Sequence, residues 1–518
     1  MKFKKITAML LVAAMGMSLM AGCGNSENVE ETAGQAGNSD GGGEPEEIVV
    51  ALMTMSPIDE ANSEHVEKAL NEQLLEKCNV QADFQWYDAP TYSTQIPLKI
   101  QGNEQLDLMM FTPVPASGYQ SFMSQNQLMD ITEYIDEYGQ DIKEAMGDYL
   151  DATSKDGKVY GVGNLPALYS QEAIAMNKEV LDELGLVEEA ESMETWEDYE
   201  NLLTKVVEGT DMNGVINGDA EGTCISPQPF LNGGEKLSDA QWVDTLGDTY
   251  QYVYADTATD EVKCYFESDG WYDSVKRAKE MYDKGLIYKD ASTSQDFGPT
   301  LIKNEVGFSL LEGAESGALS AFESGIAHSG LLKEMTPGQV STGAFRKFGF
   351  AVPVTSEHPE AAVKVLNLLY GDAEFLDTLT WGVEGVDYVV KDDGTLTFPD
   401  GVDASTVQYH NADFLYGNRL LCTPWEGDGA DIREQQKKEN DEAQISKYFG
   451  FAVDTSSLTS EITACKNVVD QYKPQLSSGI VEDVDATYNE FIDSLKAAGM
   501  DKIIQEYQKQ LDAWLAEQ

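Results

Sequence analysis

Ile48-Val49-Val50-Ala51-Leu52-Met53 is an unbroken apolar run, closed by Ser56-Pro57. A strand with one face in water alternates between apolar and polar residues. A continuous run of this length suits a strand covered on both faces, as in a parallel sheet flanked by helices. The residues that follow fit that reading. Val66, Leu70 and Leu74 recur at helical spacing, Val80 to Trp86 reads as a second strand, a helix-like segment runs to Gln101, and Asp107-Leu108-Met109-Met110-Phe111 is another apolar run. Strand, helix, strand, helix, strand is the order of an α/β lobe. In such sheets ligands lie beyond the carboxyl ends of the strands. Those ends here are Met53 to Pro57, Trp86 to Thr91 and Thr112 to Ser117.

Upstream, Lys2, Lys4 and Lys5 precede an apolar stretch from Ile6 to Met20, followed by Ala21-Gly22-Cys23. A basic start, a short apolar core and small residues before a cut site make a secretory signal. The stretch is shorter than the ~20 apolar residues that cross a bilayer comfortably. Met20-Ala21-Gly22-Cys23 resembles a bacterial lipobox, with Met20 where Leu is commonest and Cys23 as the lipid anchor. An ordinary signal peptide that contains a cysteine is the alternative. Cys23 to Glu47 is rich in Gly, Ser, Asn and Glu. Such a composition cannot bury a core and reads as a disordered tether.

The chain has 518 residues, and one core stops growing at roughly 250–300, so two lobes are expected. The formal net charge is −57, from 91 acids against 34 bases. Phosphate binding needs clustered Lys and Arg, so nucleic acid is excluded as a partner. The acidic loops Asn217-Gly218-Asp219-Ala220-Glu221 and Glu426-Gly427-Asp428 offer oxygens suited to a structural Ca²⁺, without EF-hand spacing. A solvated turn is the simpler reading, and no cofactor is expected. Apart from Cys23, the cysteines are Cys78, Cys224, Cys264, Cys422 and Cys465. An odd count with irregular spacing and no Cys-x-x-Cys reads neither as a disulfide framework nor as a zinc site; most are expected to be small buried side chains.

Further along, Ala173-Ile174-Ala175-Met176-Asn177-Lys178 opens a second region. Thr195-Trp196-Glu197-Asp198 is a capping box, and Tyr199, Leu202, Leu203 and Val206 line one face of the helix behind it. Pro359 fits the first position of a helix with Ala362, Val365, Leu366 and Leu369 as its buried stripe. Near the end, Tyr488, Phe491, Ile492 and Leu495 share a face, Gly499 fits a helix cap, and Ile504, Tyr507, Leu511 and Trp514 give a last stripe.

In order, Asp156-Gly157-Lys158-Val159-Tyr160-Gly161-Val162-Gly163, Met176-Asn177-Lys178-Glu179-Val180-Leu181, Leu184-Gly185-Leu186, Thr195-Trp196-Glu197-Asp198 and His358-Pro359-Glu360-Ala361-Ala362 are similar to landmarks of the family 1 extracellular solute-binding proteins of ABC importers. Gly163-Asn164 stands where the first of these motifs usually has Pro. Gly382-Val383-Glu384-Gly385-Val386-Asp387-Tyr388, Lys447-Tyr448-Phe449-Gly450-Phe451, Leu476-Ser477-Ser478-Gly479 and Ala497-Ala498-Gly499-Met500-Asp501-Lys502 resemble the LplA/LipO-type lipoproteins of Gram-positive bacteria, which carry a C-terminal region of uncharacterised function.

The resemblance implies a two-lobed α/β, periplasmic-binding-protein-like fold of type II, with a ligand cleft between lobes and an extra helical C-terminal region. Residues 48–168 and 348–390 would form lobe 1, and 169–347 and 391–518 lobe 2. It implies a lipid-anchored monomer on the extracellular face of the cell membrane, which captures a carbohydrate by lobe closure and delivers it to permease subunits without catalysis.

Sugars stack their C–H faces on aromatic rings and take hydrogen bonds from planar polar side chains. Trp86 and Tyr87 end a lobe-1 strand, Tyr169 lies at the first crossing, Trp381 precedes the Gly-Val-Glu-Gly stretch, and Trp425 sits in a Pro/Gly/Asp loop. Core burial is the competing reading for each ring. Thr112, Ser117, Asn164 and Glu312 are polar candidates in loops bordering the cleft; Arg346 and Arg419 read as structural ion pairs. Two other binding classes stay open, a peptide or other small solute and a surface adhesin. A secreted glycoside hydrolase also stays open, since 91 acids always contain some carboxylate pair. No Gly-x-Ser-x-Gly or His-Glu-x-x-His motif supports an enzyme.

Overall fold

The computed structural model describes residues 44–518, except 56–57, 59, 166–170, 211–215, 218–229, 232–233, 240, 248–251, 288–290, 293–306, 315–318, 320–322, 324–327 and 452. The expected signal, Cys23, the tether up to residue 43, Tyr169, Cys224 and the 218–221 part of the first acidic loop lie outside the described residues.

The opening run forms the strand Glu46–Thr54, buried continuously from Val50 onward. It pairs in parallel with Val80–Asp88 on one side, Glu46 opposite Val80, and with Leu108–Phe111 on the other, Val50 opposite Leu108. The intervening helices Glu60–Cys78 and Ala89–Gly102 cover the sheet. The first sends Val66, Leu70 and Leu74 into the core at 0% exposure. The second is capped by Asp88, whose carboxylate accepts the Thr91 N–H at 2.9 Å. Its Tyr92 hydroxyl both donates to the Met110 carbonyl (2.8 Å) and accepts the Met110 N–H (2.7 Å), tying helix to strand.

Two further strands complete this sheet from distant parts of the chain. Gly349–Ala351 pairs antiparallel with Leu108–Phe111, and Val162–Gly163 pairs antiparallel with Gly349–Ala351. The Asp156-Gly157 motif is a hairpin turn in left-handed backbone between Ser154–Lys155 and Lys158–Val159. The chain leaves the first lobe only after Asn164 and Leu165.

The second sheet runs in the order Gly330–Glu334, Gln171–Asn177, Phe308–Ala314, Ile216–Asn217. Every residue of Gln171–Asn177 is buried. The helix Trp196–Gly209 starts on the expected capping box, with both reciprocal bonds made, Asp198 N–H to Thr195 Oγ1 at 3.1 Å and Thr195 N–H to Asp198 Oδ2 at 2.9 Å. Trp196, Tyr199, Leu202, Leu203 and Val206 face the core.

Three cores result. One belongs to the first sheet, one to the second, and a third joins the helices Thr459–Ser477, Val484–Ala498 and Met500–Leu515 to the hairpin Val253–Ala255/Val262–Cys264 and to Phe266 and Trp271. The expected lobe boundaries need correcting at two places. Val340 and Phe345, expected in lobe 2, pack in the first core. Tyr409, Leu415, Tyr416 and Cys422, expected in lobe 2, belong to the first core. The Tyr409 hydroxyl donates to the Leu379 carbonyl at 2.6 Å and that of Tyr416 to the Met53 carbonyl at 2.9 Å, which ties the stretch to the first core. Cys264, Cys422 and Cys465 are free and buried, and Cys78 is free and half-buried. Burial pushes the thiols of Cys78 and Cys465 up to about 11 and that of Cys264 up to about 12, which leaves them unreactive.

Candidate functional site

The carboxyl ends of the first three strands open on one side of the first lobe. Met55 follows the first strand and is 59% exposed. Tyr87 and Asp88 end the second, and Thr112 follows the third. A returning stretch, Tyr409 to Arg419, is laced to this edge. The Tyr416 hydroxyl donates to the Met53 carbonyl at 2.9 Å, and Phe348 and Phe414 pack at 5.8 Å between ring centres. Gly417 is left-handed (φ +54°) and pressed so close to Leu369 that a Cβ would lie 2.3 Å from the Leu369 carbonyl oxygen.

The rings singled out from sequence come together through this stretch. Trp425 lies 5.2 Å from Trp381, 4.6 Å from His410 and 4.8 Å from Phe398. Trp381 and His410 are 5.0 Å apart. The next residue back, Tyr409, meets Trp86 edge-on at 5.3 Å. Trp381, Phe398, His410 and Trp425 thus form one aromatic ledge, and the backbone joins it through Tyr409 to Trp86. Trp86, Phe398 and Trp425 keep part of their surface open, whereas Trp381 is buried and donates its indole N–H to the Thr423 carbonyl at 3.1 Å. The Trp86 Nε1 and His410 Nδ1 are buried and have no hydrogen-bond partner among the described residues. Burial pushes the His410 imidazole down to about 4, so at neutral pH it is an uncharged member of the cluster. Tyr409, His410 and Phe398 were not among the sequence candidates. They follow no periodic stripe, and only the density of rings between 398 and 425 hinted at them.

The polar candidates are mostly committed elsewhere. Asn164 is buried, and its whole amide is used: Nδ2 donates to the carbonyls of Phe414 (3.0 Å) and Leu415 (2.7 Å), and Oδ1 accepts the Gly417 N–H (3.1 Å). It therefore stitches the first crossing to the returning stretch. Thr112 and Ser117 bond to each other, hydroxyl to hydroxyl, at 2.5 Å inside the loop they share. Tyr87 donates to Gln85 at 2.9 Å and packs on Tyr92. Glu312 lies in the strand Phe308–Ala314 and not in a loop, at the point where the register with Gln171–Asn177 shifts between Leu311 and Ala314.

The arginines divide. Arg419 makes the expected structural ion pair: its Nε lies 2.9 Å from Asp413, which also holds Arg433 at 2.6 Å. Burial alone would raise the Asp413 carboxyl, and the two guanidinium groups outweigh it and hold it below the usual carboxylate range. Arg346 makes no ion pair among the described residues; its Nε donates to the Ala152 carbonyl at 2.7 Å.

No cluster of three or more candidate metal ligands occurs among the described residues. Glu426 of the second acidic loop is engaged by Lys391 and Thr397 at 3.0 and 2.6 Å. A groove of about 470 Å³ lies between the helices Val187–Ser192 and Trp196–Gly209, away from the strand ends, and its Lys205 and Glu189 pair with each other. No helix among the described residues is long and apolar enough to cross a membrane.

Comparison with known proteins fits this geometry. A carbohydrate ABC transporter substrate-binding protein of Streptococcus pneumoniae serotype 4 is 24% identical over 469 residues, covering 86% of this chain and 87% of that protein. The N-glycan transport solute-binding protein NgtS of S. pneumoniae shares the fold at a TM-score of 0.74 (22% identity, 91% of this chain, 99% of that one). Its complex with Man1GlcNAc superimposes at 0.69 (21% identity, the same coverage). An HMO-binding, ABC-transporter-associated solute-binding protein of Bifidobacterium longum infantis superimposes at 0.64 (18% identity, 91% and 99%). Residues 447–516 match a domain of unknown function (DUF3502), in line with the expected C-terminal region. Residues 69–385 match the family described as bacterial extracellular solute-binding protein, and the chain belongs to that family.

Proposed function

We propose that this chain is the lipid-anchored, carbohydrate-binding component of an ABC importer, holding an oligosaccharide between its lobes and passing it unchanged to a permease. The observation that carries the reading is the aromatic ledge of Trp381, Phe398, His410 and Trp425, which the backbone joins through Tyr409 to Trp86 near the carboxyl end of the second strand. Rings with part of their faces open, flanked by polar loops, suit the C–H faces of sugar rings. A carbohydrate-transport relative and the glycan complex of a structural neighbour support the same class of ligand. Two-lobed architecture supports capture by hinge closure, in which the solute favours the closed state by its differential affinity.

A thermal-shift screen of oligosaccharides, with peptides as the competing class, tests this directly, since tight binding raises apparent stability by mass action. Trp425→Ala should weaken the best sugar by about tenfold or more, the scale of one lost stacking partner. A peptide hit with no sugar hit refutes the carbohydrate reading, and hydrolysis of the bound sugar refutes transport without catalysis. Lipid attachment at Cys23 is tested by Cys23→Ser, which should release the protein from the cell surface.

A further inference from the structure

Two half-buried phenylalanines lie apart from the ledge on the same edge of the first sheet. Phe348 immediately precedes Gly349–Ala351, whose Gly349 lies opposite Phe111 at the carboxyl end of Leu108–Phe111. Phe414 belongs to the returning stretch. The two rings meet at 5.8 Å between centres, inclined at 51°, and among the described residues neither packs on a ring of the ledge.

One residue positions both. The Asn164 main-chain N–H donates to the Phe348 carbonyl at 2.9 Å, and its Nδ2 donates to the Phe414 carbonyl at 3.0 Å. Beside it the Leu165 N–H donates to the Gly417 carbonyl at 2.9 Å, and the Arg419 N–H to the Leu165 carbonyl at 3.1 Å. The point where the chain leaves the first sheet, the point where it re-enters and the returning stretch are therefore fastened together. Phe348 and Phe414 are the rings carried at that junction. Two adjacent phenylalanines would ordinarily be closed into the core; here hydrogen-bonded backbone at the sheet edge keeps both half open.

The returning stretch links this junction to the ledge. His410, Ala412 and Phe414 are half-buried, whereas Tyr409, Asn411, Asp413 and Leu415 are buried. Alternate residues of extended backbone face opposite sides, so His410 of the ledge and Ala412 share the open side. Past Ala412 the backbone turns, with the Leu415 N–H bonded to the Ala412 carbonyl at 3.2 Å, and Phe414 meets Phe348. Between the two sets of rings the open side carries only the methyl group of Ala412.

We propose that Phe348 and Phe414 form a second sugar-stacking platform, so that the bound carbohydrate spans at least two rings, one against the ledge and one at the junction held by Asn164. The platform rests on the carbohydrate-binding reading above. It makes the ligand an oligosaccharide by geometry: two aromatic platforms without ring contact between them cannot both be covered by one pyranose. Rings fixed in advance by their backbone bonds lose little freedom on binding, which favours a stacked sugar.

Titration calorimetry on the full chain, with Man1GlcNAc and Man5GlcNAc as probes, reads the affinity. Phe348→Leu and Phe414→Leu keep apolar bulk and remove the flat ring, and each should weaken the tighter-binding glycan by about tenfold. Phe414→Tyr keeps the ring and should bind like the parent. Because the two platforms are separate, Phe348→Leu combined with Trp425→Ala should weaken binding by about a hundredfold. Parent-like affinity in both leucine variants while Trp425→Ala weakens binding overturns the platform and leaves the carbohydrate reading standing. Losses that fail to multiply in the double variant also overturn it. Melting without ligand shows whether each variant is folded. Should the leucine variants unfold, NMR cross-peaks between bound glycan protons and the rings of Phe348 and Phe414 in the phenylalanine-labelled parent decide: their presence supports the platform and their absence overturns it. A parent that binds neither probe nor any other oligosaccharide of the screen fails the carbohydrate reading, and the platform falls with it.

Discussion

His410→Phe should remove a block of acid sensitivity from this protein. The imidazole is buried against Trp381, Phe398 and Trp425, and burial holds its pKa down to about 4, from an ordinary value of 6.5. Between those two values the unfolded chain binds a proton at this position and the folded chain does not. Stability therefore rises with pH across that window. It is fully present above about 6.5 and is lost as the pH falls toward 4. A gap of roughly 2.5 units at 1.36 kcal/mol each corresponds to about 3 kcal/mol in full, of which about 2.5 kcal/mol is gone by pH 4.5. Phenylalanine keeps a ring in the cluster and carries no proton. Urea unfolding followed by tryptophan fluorescence, near pH 7.5 and again near pH 4.5, gives the measurement. The parent should lose about 2.5 kcal/mol more than the variant between the two conditions. Carboxylate effects, such as that of Asp413, are common to both chains and cancel in the difference. Equal losses in parent and variant would refute the placement of a neutral imidazole in the ledge.

Other changes probe the frame that holds the ledge. Asn164→Ala removes three hydrogen bonds and strands the carbonyls and N–H of the returning stretch; denaturant titration should find a loss of about 3 kcal/mol, with sugar affinity falling as the Tyr409 to Arg419 edge loosens. Asp413→Asn leaves two guanidinium groups buried against a neutral partner and should destabilise by about 3–5 kcal/mol, most simply read as a drop in melting temperature. Thr195→Ala opens the capping box of Trp196–Gly209 and should cost about 1 kcal/mol with no effect on ligand affinity, because that helix lies in the second lobe away from the strand ends.

What could be read from the sequence depended on how local its cause was. The strand Glu46–Thr54 announced itself because burial on both faces demands apolar residues in a row. The Thr195 box is written in four adjacent residues, and the last two helices in stripes of four or more apolar residues each. The strands Val162–Gly163 and Gly349–Ala351 are too short to carry any period, and their membership of the first sheet is decided by partners far along the chain. Asn164 looked like a cleft residue because its acceptors, Phe414 and Leu415, lie some 250 positions away. The return of Tyr409 and Tyr416 to the first core was hidden for the same reason: an irregular segment shows its destination only through what it touches. Trp86, Trp381 and Trp425 were chosen singly for loop placement, while the residues that join them, Tyr409 and His410, gave no sign of doing so.

Gly349–Ala351 is inserted between Leu108–Phe111 and Val162–Gly163, and Asn164 waits for Phe414 to Gly417. A polypeptide made from its amino end cannot finish its first sheet until more than two thirds of it has emerged, nor fasten the crossing until later still. During synthesis Leu108–Phe111 and Val162–Gly163 remain without the strand that lies between them, and the crossing stays unfastened until the chain has been made beyond Gly417. A delay of this kind keeps a long nascent chain threadable, and the same wiring that slows its assembly is what resists fraying once it is complete.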